Sequence, residues 1–506
     1  MKSLPASPDL DHLRKQAKRL LRDAQTGKIE ALVRFARSLP GLRNIDLSTH
    51  QVRLHDAQSV ISREYGFLSW VELKRYVEWK RTDTARRIEQ WLIWCFEGNP
   101  RERRLAERMV GEEPDLFARD PWFACILGDA DRLADALERD PAFATRPGGP
   151  FQMLPLVAVT HSVLILDRGE AGFLACARML IDSGADVNAS WVDGRFPEHP
   201  LSALYGAAGR SRNLALAGML LEAGANPDDN ESLYHSVESA DLGCARLLLA
   251  AGARVNGTNA LGRVLDFDRL EGLNLLLAHG GDPNERGWTH HAILRGRSLA
   301  HVEAMLDAGA DPEARNHDGT SLLAYAAQFG RSDVIDVLRR RGVQEELSPE
   351  AAFVAACSRA DLAGARQMIV AQPDMFDRLS ERQLQVMPDL AAIGRRDAVQ
   401  TMLELGWPRE VKTAWQATAL NLAIFQGDAD LVTLLLASGS DWQTVHGFGD
   451  NALGTLSFAS QAGEIADPAP RDYVGCARAL VGHGVPKAAF EKYAFSAEVA
   501  DYLAMP

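Results

Sequence analysis

Apolar positions along this chain recur with helical spacing, and one nine-residue frame carries most of the signal. It reads CARMLIDSG at 176–184, LAGMLLEAG at 216–224, CARLLLAAG at 244–252, GLNLLLAHG at 272–280 and HVEAMLDAG at 301–309. It returns as VIDVLRRRG at 334–342, AVQTMLELG at 398–406, LVTLLLASG at 431–439 and CARALVGHG at 476–484. A copy without the glycine, ARQMIVAQP, stands at 365–373. Four residues before each glycine comes Leu180, Leu220, Leu248, Leu276, Met305, Leu338, Met402, Leu435 or Leu480. Neighbours such as Leu221, Leu249, Leu277, Leu306 and Leu436 widen the stripe, and such a stripe predicts a helix with one buried face. The glycine predicts a left-handed helix end, where a Cβ would be penalised. Turn residues follow, as in Gly281-Asp282-Pro283 and Ala310-Asp311-Pro312, because proline cannot continue a helix.

A shorter helix is expected ahead of each frame, in SALYGAA from Ser202, ESLYHSV from Glu231, TALNLAI from Thr418 and NALGTLS from Asn451. The glycine-to-glycine steps are 40, 28, 28, 29, 33, 64, 33 and 45, and the 64 holds the degenerate copy. The short openings resemble the T-P-L-H-x-A-A start of ankyrin repeats. The whole unit, ending in G-A-D-x-N, resembles the ankyrin unit at a period near 33. That resemblance implies an all-α ankyrin-repeat solenoid of about twelve helix-pair units, several of them degenerate, from roughly residue 89 to 487. Tyr205, Tyr234, Asn421 and Gly454 replace the histidine that braces the turn with a leading threonine in ankyrin repeats, so other polar pairs are expected there. The short steps predict trimmed hairpins between helix pairs. The long ones predict insertions at 163–172, 191–199 and 463–472.

This divides the chain into an N-terminal helical domain (1–84), degenerate N-terminal ankyrin-like units (85–150), ankyrin repeats (151–345), partly degenerate repeats (346–489) and a C-terminal capping helix (490–506). Arrays need caps because the last unit has an open apolar side. Ser7-Pro8-Asp9 reads as a helix start, followed by an apolar face of Leu10, Leu13, Ala17, Leu20, Leu21 and Ala24 and a stop at Gly27. Leu54 to Tyr65 reads as a second helix. Ser69 is expected to cap a third, carrying Trp70, Leu73, Val77 and later Trp91 and Trp94. The stretch 54–78 resembles a helical module that precedes ankyrin repeats in many bacterial proteins. Arg14, Lys15, Lys18, Arg19 and Arg22 make the outer face of the first helix basic.

Composition narrows the class. The 506 residues are 46% hydrophobic and 24% charged, as in a soluble globular protein. No run reaches the roughly 18 apolar residues of a membrane span, and Met1 to Asp11 lacks a signal-peptide core. The six cysteines form no C-x-x-C pair, so they read as packing residues in a reducing cytoplasm. Residues 1–110 hold 22 Lys/Arg against 14 Asp/Glu, a net of +8, which leaves −21 for the rest of the −13 total. An acidic body disfavours nucleic acid and favours a protein partner of basic or apolar-basic character.

Candidate chemistry is sparse. The phosphate-loop, dinucleotide, H-E-x-x-H and G-x-S-x-G signatures are absent, and neither cofactor nor metal is expected. Adjacent His290 and His291 would seldom point at one ion. Aromatic, histidine and polar residues do gather at one repeat phase: Trp191, His199, Tyr205, Tyr234, His235, Trp288, His290, His291, His317, Trp415, Asn421, His446, Asp450 and Asn451. In ankyrin arrays that phase lines a concave groove, so a non-catalytic protein-binding scaffold is the first expectation. The alternative is a small-molecule binder or enzyme with a polar pocket around His446 and Asp450, where an Asp-oriented His would serve as base.

Overall fold

The computed structural model describes residues 2–5, 7–39, 52–194, 197–461 and 471–503. It has two compact units: Met1–Ser236 with Gly243–Ala253, and Val237–Leu242 with Arg254–Pro506. Each is built of helix pairs whose neighbours stack side by side.

The pair from Thr418 to Gly439 shows why the sequence folds this way. Thr418 caps the first helix, Ala419–Gln426. Asn421 takes the braces that a histidine would give: its Oδ1 accepts from the Thr418 hydroxyl at 2.8 Å and the Thr418 N–H at 3.0 Å. Gly427 ends that helix at φ 68°. Asp428 caps the second helix, Ala429–Ala437, through the Leu431 N–H at 3.0 Å. Leu431, Val432, Leu435 and Leu436 bury one face, each worth roughly 1.5–3 kcal/mol of transfer free energy. Gly439 then turns left-handed, and all nine frame glycines have φ between 83° and 99°. All nine large residues four positions earlier, from Leu180 to Leu480, are fully buried. The degenerate copy lies on the helix Leu362–Ala371, which leaves through an extended Gln372 instead of a glycine.

Adjoining pairs are tied in a way the sequence frame did not advertise. An arginine in the turn between the two helices donates to backbone carbonyls of a preceding pair. Arg331 reaches the Arg297 carbonyl at 2.7 Å, Arg395 those of Ser358 (3.1 Å) and Phe329 (3.3 Å), and Arg269 that of Glu238 (3.1 Å). These carbonyls lie at or just past the ends of first helices, where orphan acceptors and the helix dipole both favour a cation.

Trimmed hairpins occur where the steps are short: after Gly252 the next first helix begins at Ala260, whereas after Gly309 it begins at Leu322. The insertion at 163–172 holds a helical turn, Ile165–Arg168. The one at 191–199 belongs to the sheet found among the described residues, strands β1 (Ser190–Val192) and β2 (Pro200–Ser202), paired antiparallel. The third insertion lies mostly outside the described residues.

The N-terminal segment has more helices than its pattern suggested. They are α1 (Leu10–Gln25), α2 (Ile29–Ser38), α3 (Leu54–Glu64), α4 (Trp70–Lys80) and α5 (Thr84–Glu97). Asp9, not Ser7, caps α1, through the Asp11 and His12 N–H groups. The short α2 was missed. Trp91 and Trp94 ride on α5, which Asp83 caps separately from the Ser69-capped α4. At the other end a terminal helix, Ala497–Leu503, follows a 3-10 turn at Lys487–Phe490. Its buried Val499, with Phe490, lies against the last pair. No helix among the described residues is long and apolar enough to cross a membrane.

Candidate binding face

Hairpins between helix pairs hold half of the residues singled out from the sequence, and the first helices of the pairs hold the other half. Two full-length hairpins in the second unit, at 311–321 and 441–451, share one backbone scheme. Asn316 N–H donates to the Thr320 carbonyl at 3.0 Å and Gly319 N–H to the Asn316 carbonyl at 3.0 Å. His446 N–H donates to the Asp450 carbonyl at 2.7 Å and Gly449 N–H to the His446 carbonyl at 2.9 Å.

His446 and Asp450 therefore close a turn. No hydrogen bond joins their side chains: the His446 ring Nδ1 accepts from the Phe448 N–H at 3.2 Å. Asp450 Oδ1 accepts from the Asn451 N–H at 2.8 Å and the Tyr493 hydroxyl at 2.6 Å, while Asn451 Oδ1 accepts from Leu453 N–H at 2.9 Å. Partial burial holds the His446 pKa below its usual value, and the Asp450 charge opposes that only in part. Among the described residues, each of these groups is engaged by the turn, the next helix start or Tyr493.

What this hairpin does present is aromatic surface. Phe448 at its tip is 82% exposed and Trp415 on the preceding hairpin 72% exposed, with Val445 also exposed. The two tips touch. A Cβ on Gly447 would come within 2.6 Å of the Trp415 carbonyl, so only glycine allows this approach. Lys412 Nζ fastens them further, donating to the Val445 carbonyl at 2.8 Å. On the first helices that follow, Phe425 and Phe458 stack at 6.3 Å and 13°, and Phe458 is 63% exposed. Sequence reasoning named Trp415 and His446 but passed over Phe448 and Phe458.

Elsewhere in this unit Trp288, His290 and Asn421 turn inward. Trp288 is buried against Gly262, and its indole N–H has no hydrogen-bond partner among the described residues. Buried His290 meets the Thr320 carbonyl at 3.3 Å and the Tyr325 ring at 5.2 Å, and burial lowers its pKa. Behind it, Tyr325 accepts from Arg382 at 2.9 Å, and Arg382 donates to Asp389 at 2.6 Å. Burial pushes the Asp389 pKa up, only partly offset by Arg382, and drives the Tyr325 phenol to about 12. His291 pairs with Asp266 at 2.9 Å, apart from His290. His317 sits exposed in the 311–321 turn, and Asn421 is the buried brace described above.

The first unit gathers its own set. Trp191 on β1 donates to the Phe151 carbonyl at 3.1 Å. Exposed His199 and half-buried His235 flank the Glu231 carboxylate at 3.5 and 3.4 Å. The His235 hydrogen bond holds the Glu231 pKa below the usual carboxylate value. His235 also meets the Tyr234 ring at 4.8 Å and the Tyr205 ring at 5.1 Å. Tyr205 is buried and edges against His161 at 5.6 Å. A π-helical turn, Gly206–Arg210, follows, and Gly206 approaches the His161 ring where a Cβ would lie 2.5 Å from Nδ1. His161 and Arg210 were not picked out from the sequence; nothing local marks either.

Among the described residues no group of three or more His, Cys, Asp or Glu could hold a metal ion. All six cysteines are buried. Burial raises the thiol pKa to about 12 at Cys176, Cys357 and Cys476, the opposite of an activated nucleophile.

No family model and no curated protein matches the chain. Among solved structures the ankyrin repeat domain of human ASB11 is similar at 21% identity and a TM-score of 0.22, over 45% of this chain and 98% of that one. The chain's own helix pairs, left-handed glycine ends and braced hairpins make its fold an all-α repeat array of ankyrin type.

Proposed function

We propose that this protein is a non-catalytic, cytoplasmic protein-binding scaffold that presents hairpin tips and adjoining first helices to its partner. The observation that carries this reading is the pair of touching, exposed aromatic tips, Trp415 and Phe448. Rigid aromatics held on a braced turn give large contact area at little entropic cost, and exposed clusters of this kind mark interaction sites. In the first unit Trp191, His199, Tyr234 and His235 offer a second, more polar contact set. The net charge of −21 beyond residue 110 favours a bound segment that mixes apolar and basic side chains. Six buried cysteines with no C-x-x-C spacing fit a reducing compartment.

Selection of peptides from a random phage-displayed library against the full chain tests this. Enriched peptides should be apolar and basic, and should bind a Trp415→Ala/Phe448→Ala variant at least about tenfold more weakly. Peptides that bind the double variant as tightly as the wild type would place the binding face elsewhere.

A further inference from the structure

A separate surface, independent of the hairpin tips, lies on the N-terminal helices. On α1, Leu10, Leu13, Ala17, Leu20 and Ala24 are buried. At 3.6 residues per turn, Arg14, Lys15, Lys18, Arg19 and Arg22 fall within an arc of about 140° on the opposite side. All five are exposed, Arg19 by 83%. One carboxylate, Asp11, shares the arc and pairs with Arg14 at 2.9 Å; Asp23 at its margin takes Lys28 at 2.6 Å and stands 3.8 Å from Arg19. Lys15, Lys18 and Arg22 make no ion pair with any described residue. The next helix continues the surface with apolar groups. Ile29 and Val33 are 77% and 56% exposed, one helical turn apart, and Arg37 follows them in the same row.

An ordinary solvated helix face mixes charge signs and keeps branched aliphatics inside. Here a net-cationic stripe on α1 is followed by exposed aliphatic side chains on α2. We infer that α1 and α2 form a docking surface for an acidic polypeptide segment that also carries apolar side chains. Charge complementarity selects the acid, and Ile29 and Val33 select the apolar groups. Nucleic acid fits less well. Asp11, Asp23 and Glu30 stand on these two helices, and neither helix exposes a Phe, Tyr or Trp ring on which a base could stack. An anionic membrane also fits less well, because the apolar face of α1 is already buried and cannot enter a bilayer surface. A second copy of the chain, offering its acidic repeats, would join head to tail and build rings or open filaments.

Fluorescence anisotropy on the full chain decides it, with a labelled Glu/Leu-rich helical peptide as probe. A Lys/Leu peptide, a DNA duplex and phosphatidylserine vesicles serve as comparison arms. The acidic peptide should bind in a salt-dependent way, and Lys15→Glu/Lys18→Glu/Arg22→Glu should weaken it at least about tenfold while the circular dichroism spectrum stays unchanged. Lys15→Ala/Lys18→Ala/Arg22→Ala should give a smaller loss in the same direction, and Ile29→Ser/Val33→Ser a loss that salt does not modulate. The proposal is overturned if the acidic peptide fails to bind or binds the reversed variant equally well. Tighter binding of DNA or vesicles overturns it too, as does wild-type self-association in sedimentation that the charge reversal abolishes.

Discussion

Asn284 reaches out of its own repeat to hold Asp311 in the next. Its Oδ1 accepts from the Asp311 N–H at 2.8 Å, and its Nδ2 donates to the Gly309 carbonyl at 3.0 Å. Asn256 repeats the arrangement with Asp282 (2.7 Å) and Gly280 (2.8 Å), and Asn188 with Asn226 (2.7 Å) and Gly224 (3.4 Å). Each residue of G-A-D-x-N thereby gains a physical reason. The glycine turns the chain, the aspartate folds the loop by accepting from the N–H two residues on, as Asp282 does from Asn284 at 2.9 Å, and the asparagine spans to the neighbour.

Asn284→Ala should therefore cost about 1–2 kcal/mol, the net value of two exposed hydrogen bonds. Asn284→Asp keeps the acceptor and loses the donor, so its loss should fall between wild type and the alanine variant. Urea midpoints of the three proteins check this, and equal losses for both variants would mean that the Asp311 bond contributes nothing.

A second prediction concerns the buried chain Tyr325–Arg382–Asp389. Arg382→Met removes the cation bonded to Asp389 and leaves a buried carboxylate, which costs about 3–5 kcal/mol when uncompensated. Burial already raises the Asp389 pKa, and losing Arg382 raises it further. The sign follows: the carboxyl takes up a proton in the folded state at a pH where the unfolded chain is still ionised. The variant should thus be least destabilised in acid, its penalty growing as pH rises through the folded pKa. Arg382→Met/Asp389→Leu should recover most of the loss. Thermal melts of all three across the acid-to-neutral range decide it; a penalty independent of pH would contradict the assignment.

The difference between these two features also explains what could be read from the sequence. The ladder residues recur at one offset from a glycine, so periodicity exposes Asn256, Asn284 and the buried Leu and Met rows together. Tyr325 and Arg382 are 57 positions apart and meet once, so no spacing rule marks them. The turn arginines were hidden for another reason: they donate to backbone carbonyls, which carry no residue identity. At the candidate face, the sequence grouped residues by repeat phase but could not tell a side chain spent on a turn, such as Asp450, from one left outside, such as Trp415. That distinction depends on Tyr493, far along the chain, reaching back to Asp450.

Acid should weaken the first unit through His161. Its ring is buried, and burial, reinforced by the Arg210 charge, lowers its pKa to about 3. The Nδ1 atom lies 3.0 Å from the Val157 carbonyl, and Nε2 has no partner among the described residues. The folded pKa lies below the unfolded value of about 6.5, so the unfolded chain binds the proton first. The contribution is complete above that pH and declines as pH falls from there toward 3, by about 2 kcal/mol at a pH near 5. His161→Phe, whatever its own stability, should flatten this part of the pH profile. Denaturant unfolding of both proteins at two pH values, followed by a tryptophan signal of the first unit, provides the check. Parallel profiles would remove His161 as the cause.

The last prediction separates binding surface from core within adjoining repeats. Leu435 and Phe448 are both large apolar residues, thirteen positions apart, yet Leu435 is fully buried and Phe448 is 82% exposed. Leu435→Ala should cost about 2–5 kcal/mol, since the lost transfer free energy adds to that of a cavity between packed helices. Phe448→Ala should change stability by no more than about 0.5 kcal/mol, because a tip ring facing water has little packing to lose. If Phe448 exists to meet a partner, its removal should instead lower binding of the selected peptides. A Phe448→Ala protein that loses several kcal/mol in urea would show the tip to be packing, and the binding role would then have to rest on Trp415 alone.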